Sequence, residues 1–345
     1  MSTRPVRTLA VIGAGNMGSG IAQKAATEGL PVILVDVDDA QVARGLAIIE
    51  KTLADGVERK IFRPDMASAI RERITGTADW SQLAGADLVV EAVFEDFDVK
   101  RMVFARLESV CRKDAILATN TSSFLVTDLA KGMTRPERMV GLHYFYHPAK
   151  NRLVEVIPGE ATSPQVTAGA WTVQEMMGKT PIHSADASGF IVNRYFVPWL
   201  NEAVRLLEEG TADVSTIEAA AKATFGSGMG PFELMNVTGV PIAMHAANTL
   251  GQAFGPFYAP AELLKKQVSA GKPWDLLGAP DPSKFDAVSA RLLAATFLAA
   301  TSLVDEGVGT IEDTDIGARV GLRWPRGPFE MINRFGIKSA GDLVG

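Results

Sequence analysis

Four short segments of the 345-residue chain combine residue types that can bind or transform a small molecule. They are Gly13-Ala-Gly15-Asn16-Met17-Gly18, Asn120-Thr-Ser-Ser123, the pair His143 and Glu155, and Gly189-Phe-Ile-Val-Asn193-Arg194. The glycine segment follows a short apolar run and opens a helical pattern. In that context Gly13 permits a tight turn, Gly15 lets the backbone approach a pyrophosphate, and Gly18 packs the helix on the strand. The helix N-terminus then turns its unpaired N–H groups and positive dipole end toward the phosphates. Asp36 closes the next strand, 21 residues beyond Gly15. A carboxylate there accepts hydrogen bonds from ribose hydroxyls and repels a 2′-phosphate. Gly13, Gly15, Asn16, Met17, Gly18 and Asp36 are therefore expected to hold a dinucleotide, with NAD preferred over NADP.

The other segments need a scaffold that brings them to one place. From Val6 to about Ser184 short β-branched runs alternate with helical stretches, the pattern of a parallel sheet with crossover helices. Strands are expected at Thr8–Ile12, Val32–Val35, Leu88–Ala92, Ala115–Thr119, Met139–Leu142, Leu153–Ile157 and Thr180–His183. Asp38 or Asp39 opens a helix running toward Ala54, and Ser163-Pro164 opens one ending at Gly178. The asparagine–serine segment and the His143 segment both fall at strand ends, where doubly wound sheets build their clefts. Glu155 lies inside the apolar run Leu-Val-Glu-Val-Ile, so a buried partner is expected for its carboxylate. Beyond Asp186 strands give way to amphipathic helices such as Val192–Glu209. The expected organisation is a Rossmann-like α/β domain over 1–185 and an all-α domain over 186–345.

The helical half repeats itself. Leu206-Leu-Glu-Glu-Gly210, Gly230-Pro-Phe-Glu-Leu-Met-Asn236 and Gly239 return 97 residues later as Leu303-Val-Asp-Glu-Gly307, Gly327-Pro-Phe-Glu-Met-Ile-Asn333 and Gly336, without a gap. This reads as a duplicated helical unit, the first over about 186–280 and the second over about 281–345. At the same offset Asn193 corresponds to Ala290 and Phe190 to Ala287. Only the first copy is expected to serve a site.

Composition narrows the function classes. The chain carries 34 Lys and Arg against 40 Asp and Glu, a net charge of −6, so nothing favours neutralising a nucleic-acid backbone. The one cysteine, Cys111, cannot form an internal disulfide, and four histidines leave little for a zinc site. No metal is expected, and the reducing cytoplasm is the expected location. No run of about 18 uncharged apolar residues is apparent, so no membrane span is expected. Arg4 and Arg7 before Leu9-Ala-Val-Ile12 could mimic a secretion signal, but the apolar run is too short for a signal core.

With these segments in register the sequence resembles the L-3-hydroxyacyl-CoA dehydrogenase family over nearly its whole length. The most specific marks are the twelve-residue spacing from His143 to Glu155, Asn-Thr-Ser-Ser, Gly-Phe-Ile-Val-Asn-Arg and Gly-Pro-Phe-Glu. The resemblance implies reversible oxidation of a 3-hydroxyacyl-CoA to the 3-ketoacyl-CoA with NAD, as in fatty-acid β-oxidation. It makes His143 the catalytic base, Glu155 its partner carboxylate, Ser122 a hydrogen-bond partner of the substrate oxygen and Asn193 an amide that orients the site. It also implies that Glu95, Lys100 and Asn120 lie near the nicotinamide half of NAD. The residue types suit the chemistry: imidazole titrates near working pH, and a carboxylate on its other nitrogen fixes the tautomer.

The sequence departs from the family at two places. Tyr146-His147 stands where members commonly carry Asn-Pro, and Gly271-Lys-Pro-Trp-Asp275 replaces a Gly-Lys-Lys-Thr-Gly segment whose lysine reaches NAD. Lys51 and Lys60 either hold the 3′-phosphate of CoA or form a solvated face. Two alternatives stay open: a dehydrogenase of free hydroxy or sugar acids, and a non-catalytic NAD-binding module, either lens-type or part of a larger assembly. Relatives with one helical unit dimerise through it. Two units in one chain imply a monomer with an internal pseudo-dimer, a homodimer being the alternative.

Overall fold

The computed structural model describes residues 5–344. The chain divides into two compact units, one ending at Asp186 and one beginning at Ala187, one residue from the expected boundary.

The first unit is built on eight strands: β1 (Leu9–Ile12), β2 (Val32–Val35), β3 (Ile74–Thr77), β4 (Leu88–Glu91), β5 (Ile116–Thr119), β6 (Met139–Tyr144), β7 (Leu153–Ile157) and β8 (Thr180–His183). They form one sheet in the order β3-β2-β1-β4-β5-β6-β7-β8. All pairings are parallel except β6 with β7. Strand order reverses between β1 and β4, the switch point at which such sheets bind ligands. β1, β4, β5, β6 and β7 are buried along their whole length, as expected of strands covered on both faces. β3 was not among the expected strands. Its Ile-Thr-Gly-Thr sequence buries one residue at the sheet edge, and Gly76 leaves room for Val42 and Leu46 above it.

The helices of this unit are α1 (Asn16–Thr27), α2 (Asp39–Glu58), α3 (Pro64–Glu72), α4 (Phe97–Val110), α5 (Val126–Ala130) and α6 (Pro164–Met176). Asp38, Asp96 and Ser163 start α2, α4 and α6 by accepting from the N–H groups of Gln41, Val99 and Val166. α2 extends one turn beyond the expected Ala54. Asp186 closes the unit on itself by accepting from Val126 N and Thr127 N at 2.7 Å each, at the start of α5.

The second unit is helical: α7 (Val192–Glu208), α8 (Val214–Phe225), α9 (Pro231–Thr238), α10 (Val240–Phe254), α11 (Glu262–Ala270), α12 (Phe285–Asp305), α13 (Ile311–Ile316), α14 (Pro328–Phe335) and α15 (Ile337–Val344). The duplication is visible in its bonding. Glu218 on α8 accepts from Phe232 N and Glu233 N, and Asp315 on α13 accepts from Phe329 N and Glu330 N. Each acid caps its own Gly-Pro-Phe-Glu helix. A Cβ on Gly230 would strike the Glu218 carboxylate, and one on Gly327 would strike Asp315. Burial pushes both acids above the usual carboxylate range, only partly offset by the backbone N–H groups.

The two copies pack on each other reciprocally. Arg194 on α7 pairs with Glu306 at the end of α12 at 2.8 Å, while Arg291 on α12 pairs with Glu209 at the end of α7 at 3.0 Å. Residue-for-residue exchange of this kind is the signature of a two-fold interface. Trp199, Phe225 and Trp324 fill its centre, with ring centroids 4.6–5.6 Å apart. α12 is long and apolar enough to cross a bilayer by length and composition, although Arg291 interrupts its apolar run. Its Val288, Leu292, Phe297 and Leu303 are instead buried within the helical unit.

Candidate active site

The glycine turn forms as its sequence requires. Gly13 adopts a left-handed φ of +102° and donates to Val35 O at 2.8 Å. A Cβ on Gly18 would collide with the Gly13 carbonyl, whereas a Cβ on Gly15 would meet no protein atom within 4 Å. Two glycines therefore close the turn and the third leaves open space beside the backbone, where a pyrophosphate fits. Gly15 and Asn16 are exposed, and Gly15 at the α1 N-cap provides no side-chain cap, so the first-turn N–H groups suit an anion. Met17 packs against the core beneath. Asp36 accepts from Ala14 N at 2.6 Å and Val37 N at 2.7 Å, so it also braces the glycine turn.

His143 and Glu155 sit directly opposite one another across the antiparallel β6–β7 pair. Opposed residues share a face, which explains the spacing of twelve: two strands and an eight-residue loop bring the side chains together. His143 Nδ1 lies 2.5 Å from Glu155 Oε2. The carboxylate side chain is fully buried and the imidazole nearly so. Asn120 Oδ1 accepts from Tyr144 N at 2.9 Å, tying the end of β5 to the strand that carries His143.

Ser122 and Ser123 are held through Glu95. Its Oε1 accepts from Thr121 Oγ1 (2.5 Å), Ser122 N (2.9 Å) and Ser123 N (3.0 Å). Its Oε2 lies 3.2 Å from Lys100 Nζ. Burial alone would raise the Glu95 carboxyl, but the Lys100 charge and these bonds hold it below the ordinary glutamate value. Lys100 itself is 1% exposed and donates to Glu91 Oε1 at 2.7 Å. Glu91, completely buried at the end of β4, also accepts from Val93 N and Thr119 Oγ1. Sequence reasoning missed Glu91. The signal was a lone carboxylate ending the apolar run Leu88-Val-Val, the same feature that marked Glu155.

The predicted residues thus fall into three groups, Asp36 with the backbone of the glycine turn, His143 with Glu155, and Glu95 with Lys100 and the backbone of Ser122, while Asn120 braces β6. Asn193 belongs to the helical unit, in the first turn of α7. Lys51 and Lys60 are exposed. Of the departures, His147 packs against Gly20 in α1, and burial, with the Lys150 and Lys179 charges, lowers its imidazole pKa. Trp274 is buried, its backbone N donating to Asn236 Oδ1 and its carbonyl accepting from Asn236 Nδ2.

Known proteins share this fold. Residues 8–187 match the model of the 3-hydroxyacyl-CoA dehydrogenase NAD-binding domain, and residues 189–276 and 288–344 match that of the C-terminal domain. The crystal structure of 3-hydroxybutyryl-CoA dehydrogenase from Escherichia coli K12 is similar with a TM-score of 0.90 at 26% identity, over 99% of this chain and 94% of that one. FadB2 of M. tuberculosis is 33% identical over 78% of this chain and 96% of its own, with a TM-score of 0.76. (S)-3-hydroxybutyryl-CoA dehydrogenase PaaH1 from Ralstonia eutropha is 33% identical over 80% of this chain and 98% of its own, with a TM-score of 0.74. With both domain models of the family matched over nearly the whole length, the chain belongs to the NAD-dependent 3-hydroxyacyl-CoA dehydrogenase family.

Proposed function

We propose that the protein interconverts a 3-hydroxyacyl-CoA and its 3-ketoacyl-CoA, the dehydrogenation step of acyl-chain β-oxidation. The observation that carries this is the buried His143–Glu155 contact at 2.5 Å. NAD, when bound, supplies the hydride acceptor. His143 takes the hydroxyl proton as the C–H hydride leaves, so the alcohol loses one proton and one hydride and becomes the ketone. With Nδ1 committed to Glu155, the exchanged proton sits on Nε2. Glu155 keeps the ring in that tautomer and balances the imidazolium charge. The Ser122 hydroxyl donates to the substrate oxygen. For Asn193 the family resemblance alone implies an amide that orients the site. Gly13, Gly15, Asn16 and Gly18 cradle the pyrophosphate, Met17 supports the helix beneath it, and Asp36 selects the unphosphorylated ribose. Glu95 and Asn120 border the nicotinamide half, while buried Lys100 acts by holding Glu95.

The test is acetoacetyl-CoA reduction with NADH measured beside gulonate oxidation with NAD. Turnover of the thioester with no gulonate activity is the expected result. Gulonate turnover alone would move the protein to the free-acid reading, and activity with neither, while NAD still binds, would favour a non-catalytic module. The reciprocal Arg194–Glu306 and Arg291–Glu209 pairs support a further inference of ours, that the protein is a monomer whose helical interface is closed internally.

A further inference from the structure

The end of β4 holds a buried charge cluster whose balance the reaction scheme does not use. Glu91 accepts from Val93 N at 2.8 Å, Lys100 Nζ at 2.7 Å and Thr119 Oγ1 at 2.7 Å. Glu95 accepts from Thr121 Oγ1, Ser122 N and Ser123 N and faces the same ammonium. Every one of these partners is a donor, an environment that ionised carboxylates satisfy and protonated ones do not. Burial raises the Glu91 carboxyl, opposed by the Lys100 charge and the donors around it; with both carboxylates ionised on one lysine, the cluster carries one uncompensated negative charge.

Its location gives that charge a purpose. A Cβ on Gly13 would strike the Ala92 carbonyl, so the segment leading from Glu91 to Glu95 lies directly against the glycine turn. β4 neighbours β1 at the switch point, and Asp36 stands on the opposite side, at the end of β2. A dinucleotide anchored at Asp36 and at the α1 N-terminus therefore extends its nicotinamide half over the ends of β4 and β5. That half is the part whose charge changes in the reaction: the oxidised ring is positive and the reduced ring neutral. In a site shielded from water a fixed charge distinguishes the two strongly.

We propose that the Glu91–Lys100–Glu95 cluster sets the redox-state preference of the cofactor site, strengthening the binding of NAD⁺ relative to NADH. It thereby favours loading of the oxidant and release of the reduced product. The proposal rests on the cofactor placement argued above.

The experiment is titration of NAD⁺ and of NADH, separately, into the wild type, Glu91→Gln and Glu95→Gln, each checked for fold by circular dichroism. Either neutralisation should lower the ratio Kd(NADH)/Kd(NAD⁺) by about tenfold. Glu91→Gln is the sharper probe, because Glu91 is 0% exposed and acts on a ligand only through its field. Glu95→Gln keeps the experiment decisive if Glu91→Gln does not fold. Equal weakening of both forms would mean the cluster only shapes the site, and an unchanged ratio would mean its charge is not felt; either overturns the proposal. A wild type that bound neither form would overturn the cofactor placement itself, and the proposal with it.

Discussion

Replacing Glu155 with Gln tests the site at its centre. Gln keeps the volume and an acceptor oxygen for the His143 Nδ1–H group but removes the counter-charge. With the atoms 2.5 Å apart, the charge centres of an imidazolium and the carboxylate lie about 4 Å apart. At an effective dielectric of ~20 that pair is worth ~4 kcal/mol. When half of the proton's charge has arrived on the ring at the transition state, ~2 kcal/mol of it is lost, or about a 30-fold slower rate. Single-turnover NADH formation is the assay, because slow product release hides a chemical defect in steady-state kcat. His143→Ala, measured alongside, should lose roughly 10²–10⁴. A Glu155→Gln rate within about threefold of wild type, with fold and NAD affinity intact, would refute the claim that the carboxylate balances charge.

Other perturbations report on separate parts of the molecule. Wild type should prefer NAD over NADP by at least about tenfold in kcat/KM, and Asp36→Ala should narrow that ratio; because Asp36 also braces Ala14 N, NAD affinity should fall too. Lys179 is buried with its Nζ on the carbonyls of Pro148 and Asn151, and burial, with the nearby Lys24 charge, brings its pKa from 10.5 down to about 7. The unfolded chain then binds the extra proton between these values, so wild-type stability should rise from pH 7 to pH 10, by at most ~5 kcal/mol, and Lys179→Met should abolish that rise in urea titrations. Gly230→Ala and Gly327→Ala should each cost about 1–3 kcal/mol of stability, since the added methyl meets a capping carboxylate or its backbone. Light scattering at micromolar concentration should give a mass near 36.8 kDa; a stable mass of twice that would count against the monomer.

How much of the site could be read from the chain depends on whether its geometry is local. The glycine turn is written in six contiguous positions, 13–18, ending at the first turn of α1, with Gly13 at a positive φ and Gly18 packed on the Gly13 carbonyl. The His143–Glu155 pair is nearly as legible, because one hairpin converts a spacing into a cross-strand register. Lys100 was harder. The family resemblance placed it near the nicotinamide half of the cofactor, yet its ammonium is enclosed by Glu91 and Glu95, which arrive from the end of β4 and the loop beyond it. No periodicity in α4 announces that a buried lysine will meet two acids. β3 stayed hidden for the opposite reason: an edge strand with one buried residue has almost no apolar pattern to read.

The duplicated half shows where pattern ends and contact begins. Repetition of Gly-Pro-Phe-Glu was visible as letters, but the carboxylate that each repeat needs is Glu218 in one copy and Asp315 in the other, 14 residues before the N–H it caps. The left-handed position that follows α8 is Gly226, with φ +63°, and its counterpart is Arg323, with φ +58°. The copies therefore conserve an electrostatic cap and a backbone conformation while the residues that provide them differ. The exchanged pairs are the strongest case. Arg194 and Glu209 face one another's equivalents, Glu306 and Arg291, because each arginine reaches across to the other copy instead of along its own helix. A repeat that merely added a second folded unit would have no reason to keep that exchange. A repeat that replaced a partner chain would.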